Sequence, residues 1–191
     1  MKSIFLQALL IIFIFHYGFA QSSSISGKVN TFTSITQMQG PIYAAVLTNV
    51  QTQEKISLPL VETDFRFDNV PNGHDYELTI VQTRHLNDFL NGVSTLDMVI
   101  IQRHLLGIDP FAKEEMHIAA DVNGDGYVSV YDLLYLRRLI LGINNFIAES
   151  WRVRSKADLK LNSIAIKNLS QDIINADFAI IKVGDINGTA K

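Results

Sequence analysis

In residues 121–132, oxygen-bearing side chains recur at intervals that gather them around one point. Asp121, Asn123, Asp125, Ser129 and Asp132 fill positions 1, 3, 5, 9 and 12 of a twelve-residue stretch, and Gly126 stands at position 6, where the chain must turn sharply. Position 7, Tyr127, offers its backbone carbonyl. Such a set suits Ca²⁺, a hard cation that takes about six to eight oxygen ligands from side chains and main chain together. The general calcium loop of this length ends in glutamate. Here Asp132 stands at that place, one methylene shorter, so the helix that follows must sit closer to the ion. The same composition would also make a plain Asx- and Gly-rich turn. A helix pattern starting at Asp132, right after so many filled positions, favours the cation loop.

A second copy lies 35 residues upstream: Ser94 and Asp97 match Ser129 and Asp132, and Arg103, Leu106, Gly107 and Ile108 match Arg138, Leu141, Gly142 and Ile143. An internal repeat implies one supersecondary unit used twice. Each copy reads as loop, helix and stop. Met98, Ile101 and Leu105, and then Leu133, Leu136 and Ile140, carry the helical period, with Gly107 and Gly142 as terminators. Val99, Ile100, Leu106, Leu134, Tyr135 and Leu141 make both helices apolar beyond one stripe, which leaves surface for a third body. The upstream loop is the poorer chelator. Its positions 1, 3, 5 and 6 are Leu86, Asp88, Leu90 and Asn91, so only Asp88, Ser94 and Asp97 remain as side-chain ligands. Asn91 still permits the left-handed turn.

The pair resembles a type I dockerin over roughly residues 86–144, on the strength of the Asp121–Asp132 loop and the repeat. Dockerins are small calcium-dependent modules that dock onto cohesin domains and anchor extracellular polysaccharide-degrading enzymes. The resemblance implies Ca²⁺ as the cofactor and a cohesin-like protein as the partner. It also implies a docking face at loop positions 10 and 11 and helix positions 17, 18 and 22. Those are Val130, Tyr131, Arg137, Arg138 and Gly142 in the second copy, and Thr95, Leu96, Gln102, Arg103 and Gly107 in the first. Val130 and Tyr131 depart from the small polar residues usual in many dockerins.

Residues 1–20 read as a secretory signal: Lys2, an apolar run from Ile4 to Phe15, and small residues at Gly18 and Ala20. The run is short for a membrane span, so a secreted or cell-surface mature chain is expected. With no Cys there is neither a disulfide framework nor a lipoprotein attachment residue. The formal net charge of −3 and the lack of a basic run make nucleic acid an unlikely partner.

Residues 21–84 alternate apolar and polar residues around Val29, Val46, Phe65, Phe67 and Leu78, with turn signals at Gly40-Pro41, Asp68-Asn69 and Asn72-Gly73. This predicts an all-β sandwich. The Gly27-Lys28-Val29 strand, the Phe65-Arg66-Phe67 strand, the Asn69-Val70-Pro71 turn and Tyr76 are similar to the transthyretin-like regulatory domain of carboxypeptidases, a rigid spacer without chemistry. The expected fold class is therefore α+β: the sandwich (21–84), a dockerin-like calcium-loop pair (85–146), and a segment (147–191) that packs on that pair. In the last segment Trp151, the only Trp, could stack on sugar rings but reads better as a packing anchor, and residues 162–168 read as a weak strand or extended segment. Asp185-Ile186-Asn187-Gly188 repeats the opening of the good loop, Asp121 to Gly124. Asp185 and Asn187 are spaced as positions 1 and 3, and would complete the site begun by Asp88, Ser94 and Asp97.

Chemistry for catalysis is not visible. The histidines make no paired metal motif, there is no Gly-x-Ser-x-Gly elbow or phosphate-cradling loop, and no carboxylates pair as an acid and base. His104 corresponds to Leu139 in the repeat and reads as a packed or half-exposed helix residue. The expected function is a secreted, non-enzymatic, calcium-binding interaction module that assembles polysaccharide-degrading machinery and meets the polysaccharide only indirectly. The alternatives are the non-catalytic end of a longer glycoside hydrolase or surface protein, and a carbohydrate-binding module.

Overall fold

The structure is a computed structural model and describes residues 21–31, 43–83, 88–143 and 149–190. The signal segment and Leu86 lie outside the described residues. In chain order the elements are β1 (Ser22–Thr31), β2 (Tyr43–Asn49), β3 (Lys55–Pro59), β4 (Asp64–Pro71), β5 (Tyr76–Gln82), α1 (Thr95–Leu105), α2 (Glu114–Ala120), α3 (Val130–Ile140), β6 (Trp151–Ser155), β7 (Ser163–Ile166) and β8 (Phe178–Lys182).

Among the described residues the strands form two four-stranded sheets, ordered β4-β1-β8-β6 and β3-β2-β5-β7. Alternation along each strand sends one set of side chains into a shared core: Ile25 and Val29 from β1, Ala45 and Leu47 from β2, Phe65 and Phe67 from β4, Leu78 and Ile80 from β5. Fully burying such a side chain contributes roughly 1.5–3 kcal/mol. The all-β reading of the N-terminal region therefore holds, but its extent does not. β7 pairs antiparallel with β5, and β8 pairs parallel with β1 and antiparallel with β6. The sandwich thus takes strands from both sides of the helical unit, and residues 149–190 are more than a segment laid on that unit.

β8 explains how the two halves hold together. All five of its residues are buried. Phe178 and Ile180 enter the sandwich core, while Ala179 and Ile181 join a second core with Ile101 of α1, Ala119 and Ala120 of α2, and Leu136 and Leu139 of α3. A strand buried on both faces reads as a near-continuous apolar run, as Phe178 to Ile181 does before the buried Lys182.

Within the helical unit the repeat is reproduced in detail. Ser94 and Ser129 cap α1 and α3 with φ, ψ of −145°, 174° and −145°, 178°. Each cap makes a reciprocal box with the aspartate three residues on, Asp97 or Asp132. α1 and α3 pack against each other. The short α2 between them has no counterpart in the sequence reading; its only local signal is Glu114 and Glu115 in the first turn, where acidic groups favour a helix start.

Candidate cation loops and docking face

Asp132 is fully buried at the start of α3. One carboxylate oxygen accepts from Ser129 N at 2.7 Å and Ser129 Oγ at 3.1 Å, and the other accepts from Asn123 N at 3.1 Å. At the opposite side of the loop Asp121 Oδ1 accepts from Gly124 N at 2.9 Å and Asp125 N at 3.1 Å, while Oδ2 accepts from Gly126 N at 3.1 Å. Asn123 Nδ2 donates to Asp125 Oδ2 at 2.8 Å, closing the same turn. Gly126 has φ +87°, a conformation that costs an L side chain about 1–2 kcal/mol.

Among the described residues no three His, Cys, Asp or Glu side chains meet as a metal-holding group. That holds for Asp121, Asp125 and Asp132 as well; the loop's other candidate donors are the Asn123 amide oxygen, the Ser129 hydroxyl and the Tyr127 carbonyl. All are oxygens, so the set fits calcium chemically.

The neighbouring sheet adds a residue that sequence reasoning missed. Arg152 of β6 is buried and donates from Nη1 to Ile118 O at 2.9 Å, with Asp121 Oδ2 at 3.4 Å. It offsets part of the charge at position 1 and ties the loop to the sandwich.

The first copy's helix start matches the second. Asp97, also fully buried, accepts on Oδ2 from Ser94 N at 2.9 Å and Ser94 Oγ at 2.8 Å. Its Oδ1 accepts from Ile186 N at 2.8 Å and Asn187 N at 3.3 Å. Asp88 goes elsewhere: its two oxygens lie 3.2 and 3.1 Å from Trp151 Nε1, which donates to them. The carboxylate expected at position 3 of this loop is thus an acceptor for the buried Trp151, which packs as the anchor the sequence suggested.

Beside it, Lys182 Nζ is buried and donates to Ser150 Oγ at 2.9 Å, Phe89 O at 3.0 Å and Val183 O at 3.3 Å. Burial pushes this ammonium down to about 8, with Asp88 and Asp185 acting in the other direction.

The residues expected to meet a partner lie on the solvent side. Val130 is 72% and Tyr131 69% exposed, Leu96 is 54% exposed, and Arg103, Arg137 and Arg138 are exposed too. Arg103 pairs with Asp109 at 3.6 Å. Val99 and Leu134 within the helices, and Leu106 with Leu141 and Ile108 with Ile143 just past their ends, are exposed at repeat-related positions. The two helices therefore present matching apolar faces away from their shared core.

The model of the dockerin type I domain matches residues 91–141. Dockerin domains are non-catalytic protein-interaction modules that bind calcium and dock onto cohesins. No curated protein matches the chain. A solved structure, a bacterial adhesin from Mobiluncus mulieris containing intramolecular disulfide, isopeptide and ester bond cross-links, is similar at 9% identity and a TM-score of 0.30. That likeness covers 84% of this chain and 40% of the adhesin chain, so this chain spans less than half of the adhesin's length. Among the described residues no helix is long and apolar enough to cross a membrane.

Proposed function

We propose that the chain is a calcium-stabilised, non-catalytic docking module that works outside the cell, joining a cohesin-like partner and so anchoring polysaccharide-degrading machinery. The observation that carries this reading is the apolar face of α1 and α3, exposed at repeat-related positions beside a loop whose donors are all oxygens. Asp121, Asn123, Asp125, Ser129, Asp132 and the Tyr127 carbonyl would hold the ion. Calcium would then fix the loop that sets Val130 and Tyr131 at the start of α3. Leu96, Arg103, Val130, Tyr131, Arg137 and Arg138 are the partner-facing residues. The sandwich serves as a rigid spacer of the transthyretin-like kind.

Titration of the full chain against a purified type I cohesin, with calcium and with chelator, tests the proposal. Calcium-dependent binding is expected, weakened by about 2–4 kcal/mol when Tyr131 and Arg138 are both changed to alanine, the size of a central anchor. Unchanged binding by that double variant, alongside loss of binding by a variant of the exposed sandwich face, would overturn it.

A further inference from the structure

We propose that residues 92–97 and 185–190 together form a second calcium loop, assembled from two passes of the chain. This rests on the docking-module reading and adds a site to it. In the intact loop, the amides four and five residues after Asp121 donate to its two oxygens, Asp125 N at 3.1 Å and Gly126 N at 3.1 Å. The amides four and five residues after Asp185 do the same: Thr189 N at 3.0 Å and Ala190 N at 2.7 Å. In the intact loop the position-3 amide, Asn123 N, reaches the carboxylate that opens α3 at 3.1 Å. Asn187 N, 90 residues away in sequence, reaches the carboxylate that opens α1 at 3.3 Å. Gly124 and Gly188 have matching φ of +78° and +71°. Val122 and Ile186, each following the first aspartate, are buried in the same core.

Positions 1 to 6 thus come from 185–190, and positions 7 to 12 from 92–97. The oxygen donors are Asp185, Asn187, Thr189, the Gly92 carbonyl, Ser94 and Asp97. Thr189 Oγ already meets the Gly92 carbonyl at 3.1 Å, bringing positions 5 and 7 together.

The family match begins at residue 91, so it includes the 92–97 segment that supplies positions 7 to 12. The two aspartates are also more than nine-tenths buried, Asp97 at 0% and Asp185 at 3% exposure. Neither makes an ion pair among the described residues. Lys182 acts electrostatically on Asp185, but its ammonium is held by Ser150, Phe89 and Val183 rather than by that carboxylate. Burying two carboxylates carries a desolvation cost that a divalent ion held by both would offset. With two carboxylates where the intact loop has three, the split loop is the weaker of the two sites.

Calcium titration of the metal-stripped full chain by calorimetry decides the matter. Two ions per chain are expected. Asp185→Asn loses the weaker ion and keeps the other, whereas Asp88→Asn keeps both. One ion only, lost in Asp121→Asn and kept in Asp185→Asn, overturns the split loop while leaving the docking-module reading intact. Two ions unaffected by Asp185→Asn also overturn it, and no ion at all overturns both readings. Should Asp185→Asn fail to fold, hydrogen exchange on the unaltered chain takes its place: calcium slows the Thr189 and Ala190 amides, and unchanged rates at both overturn the proposal.

Discussion

The loop at 121–132 collects its turn, its carboxylates and its helix start in one pass of the chain, while the site at α1 gathers equivalent parts from two. Ser94 and Asp97 repeat Ser129 and Asp132 bond for bond, yet the amides that reach the position-12 carboxylate come from Asn123 in one case and from Ile186 and Asn187 in the other. Joining distant segments costs loop-closure entropy that a contiguous loop avoids. In this fold the cost is already met by β8, whose pairing with β1 and β6 delivers residues 185–190 to α1. Arg152 of β6 ties the intact loop to the sandwich through a side chain, whereas the split loop runs on from β8 in main chain. A cation at the split site therefore bears on how the helical unit sits on the sheet, and a cation at the intact site bears on α3 and its docking face.

The largest effects come from the two buried carboxylates at the helix starts. Replacing Asp97 or Asp132 with alanine leaves a serine amide, a serine hydroxyl and at least one further amide without acceptors, at about 1–3 kcal/mol for each buried group left unsatisfied. Chemical denaturation is expected to show a loss of about 3 kcal/mol or more for either variant. Hydrogen exchange separates the two: Asp97→Ala exposes the 185–190 amides, and Asp132→Ala leaves them protected. Equal exchange in both variants would break the distinction between the sites.

Removing calcium comes next. An ion bound only by the folded chain stabilises it by about 2.7 kcal/mol at a hundredfold excess over its dissociation constant. Melting curves in chelator are expected at lower temperature, with magnesium a poor replacement because it demands tighter octahedral geometry. Asp121→Asn is expected to remove the larger share of the calcium response and Asp185→Asn the smaller. A melting temperature indifferent to chelator would remove the cation from both sites.

A smaller contrast lies in two glycines. Gly126 has φ +87° and open space around it, so alanine there meets only the backbone penalty of about 1–2 kcal/mol. Gly92 has φ +74°, and a Cβ built on it falls 2.6 Å from Asp185 Oδ2 and within the same range of the Ala190 backbone. Gly92→Ala is expected to cost roughly 1–3 kcal/mol more than Gly126→Ala in urea denaturation, the usual penalty of overpacking. Equal costs would mean that 185–190 does not press against Gly92 in solution.

The repeat was legible in the sequence because its signals are local: Ser94 with Asp97, Ser129 with Asp132, and the stops at Gly107 and Gly142 each act within one turn of the helix they bound. Strands β1, β2, β4 and β5 were legible from period-2 alternation. β8 was not, because an unbroken run such as Phe178 to Val183 is compatible with a strand buried on both faces and with an apolar segment docking on helices. Once β8 is misplaced, the sandwich is cut short at residue 84 and β7 loses its reason. Asp185 and Asn187 stood out as a copy of Asp121 and Asn123, with Asp88, Ser94 and Asp97 read as their partners, and Asn187 N does reach Asp97. Asp88 holds the right register for the first loop and is nevertheless drawn to Trp151, a contact that no spacing rule encodes. Thr189 and the Gly92 carbonyl were overlooked because register within one segment cannot reveal a loop made of two.

The smallest expected effect tests where the two copies differ rather than agree. His104 stands where the second copy has the buried Leu139. Its ring stacks on Phe111 with centroids 3.8 Å apart, and its Nδ1 accepts from Phe111 N at 3.0 Å, leaving His117 edge-on at 5.0 Å. Burial, and then the neighbouring His117, hold His104 below its ordinary value of 6.5. As pH falls below 6.5 the unfolded chain takes up the proton before the folded one does, so stability is full above that pH and declines beneath it. Protonation also removes the acceptor from the Phe111 amide, loosening the turn between α1 and α2. His104→Leu, which restores the residue of the other copy, is expected to flatten the decline between neutral and mildly acid pH in thermal melts while leaving calcium binding unchanged. An equally steep decline in that variant would place the acid sensitivity on other groups, His117 first among them.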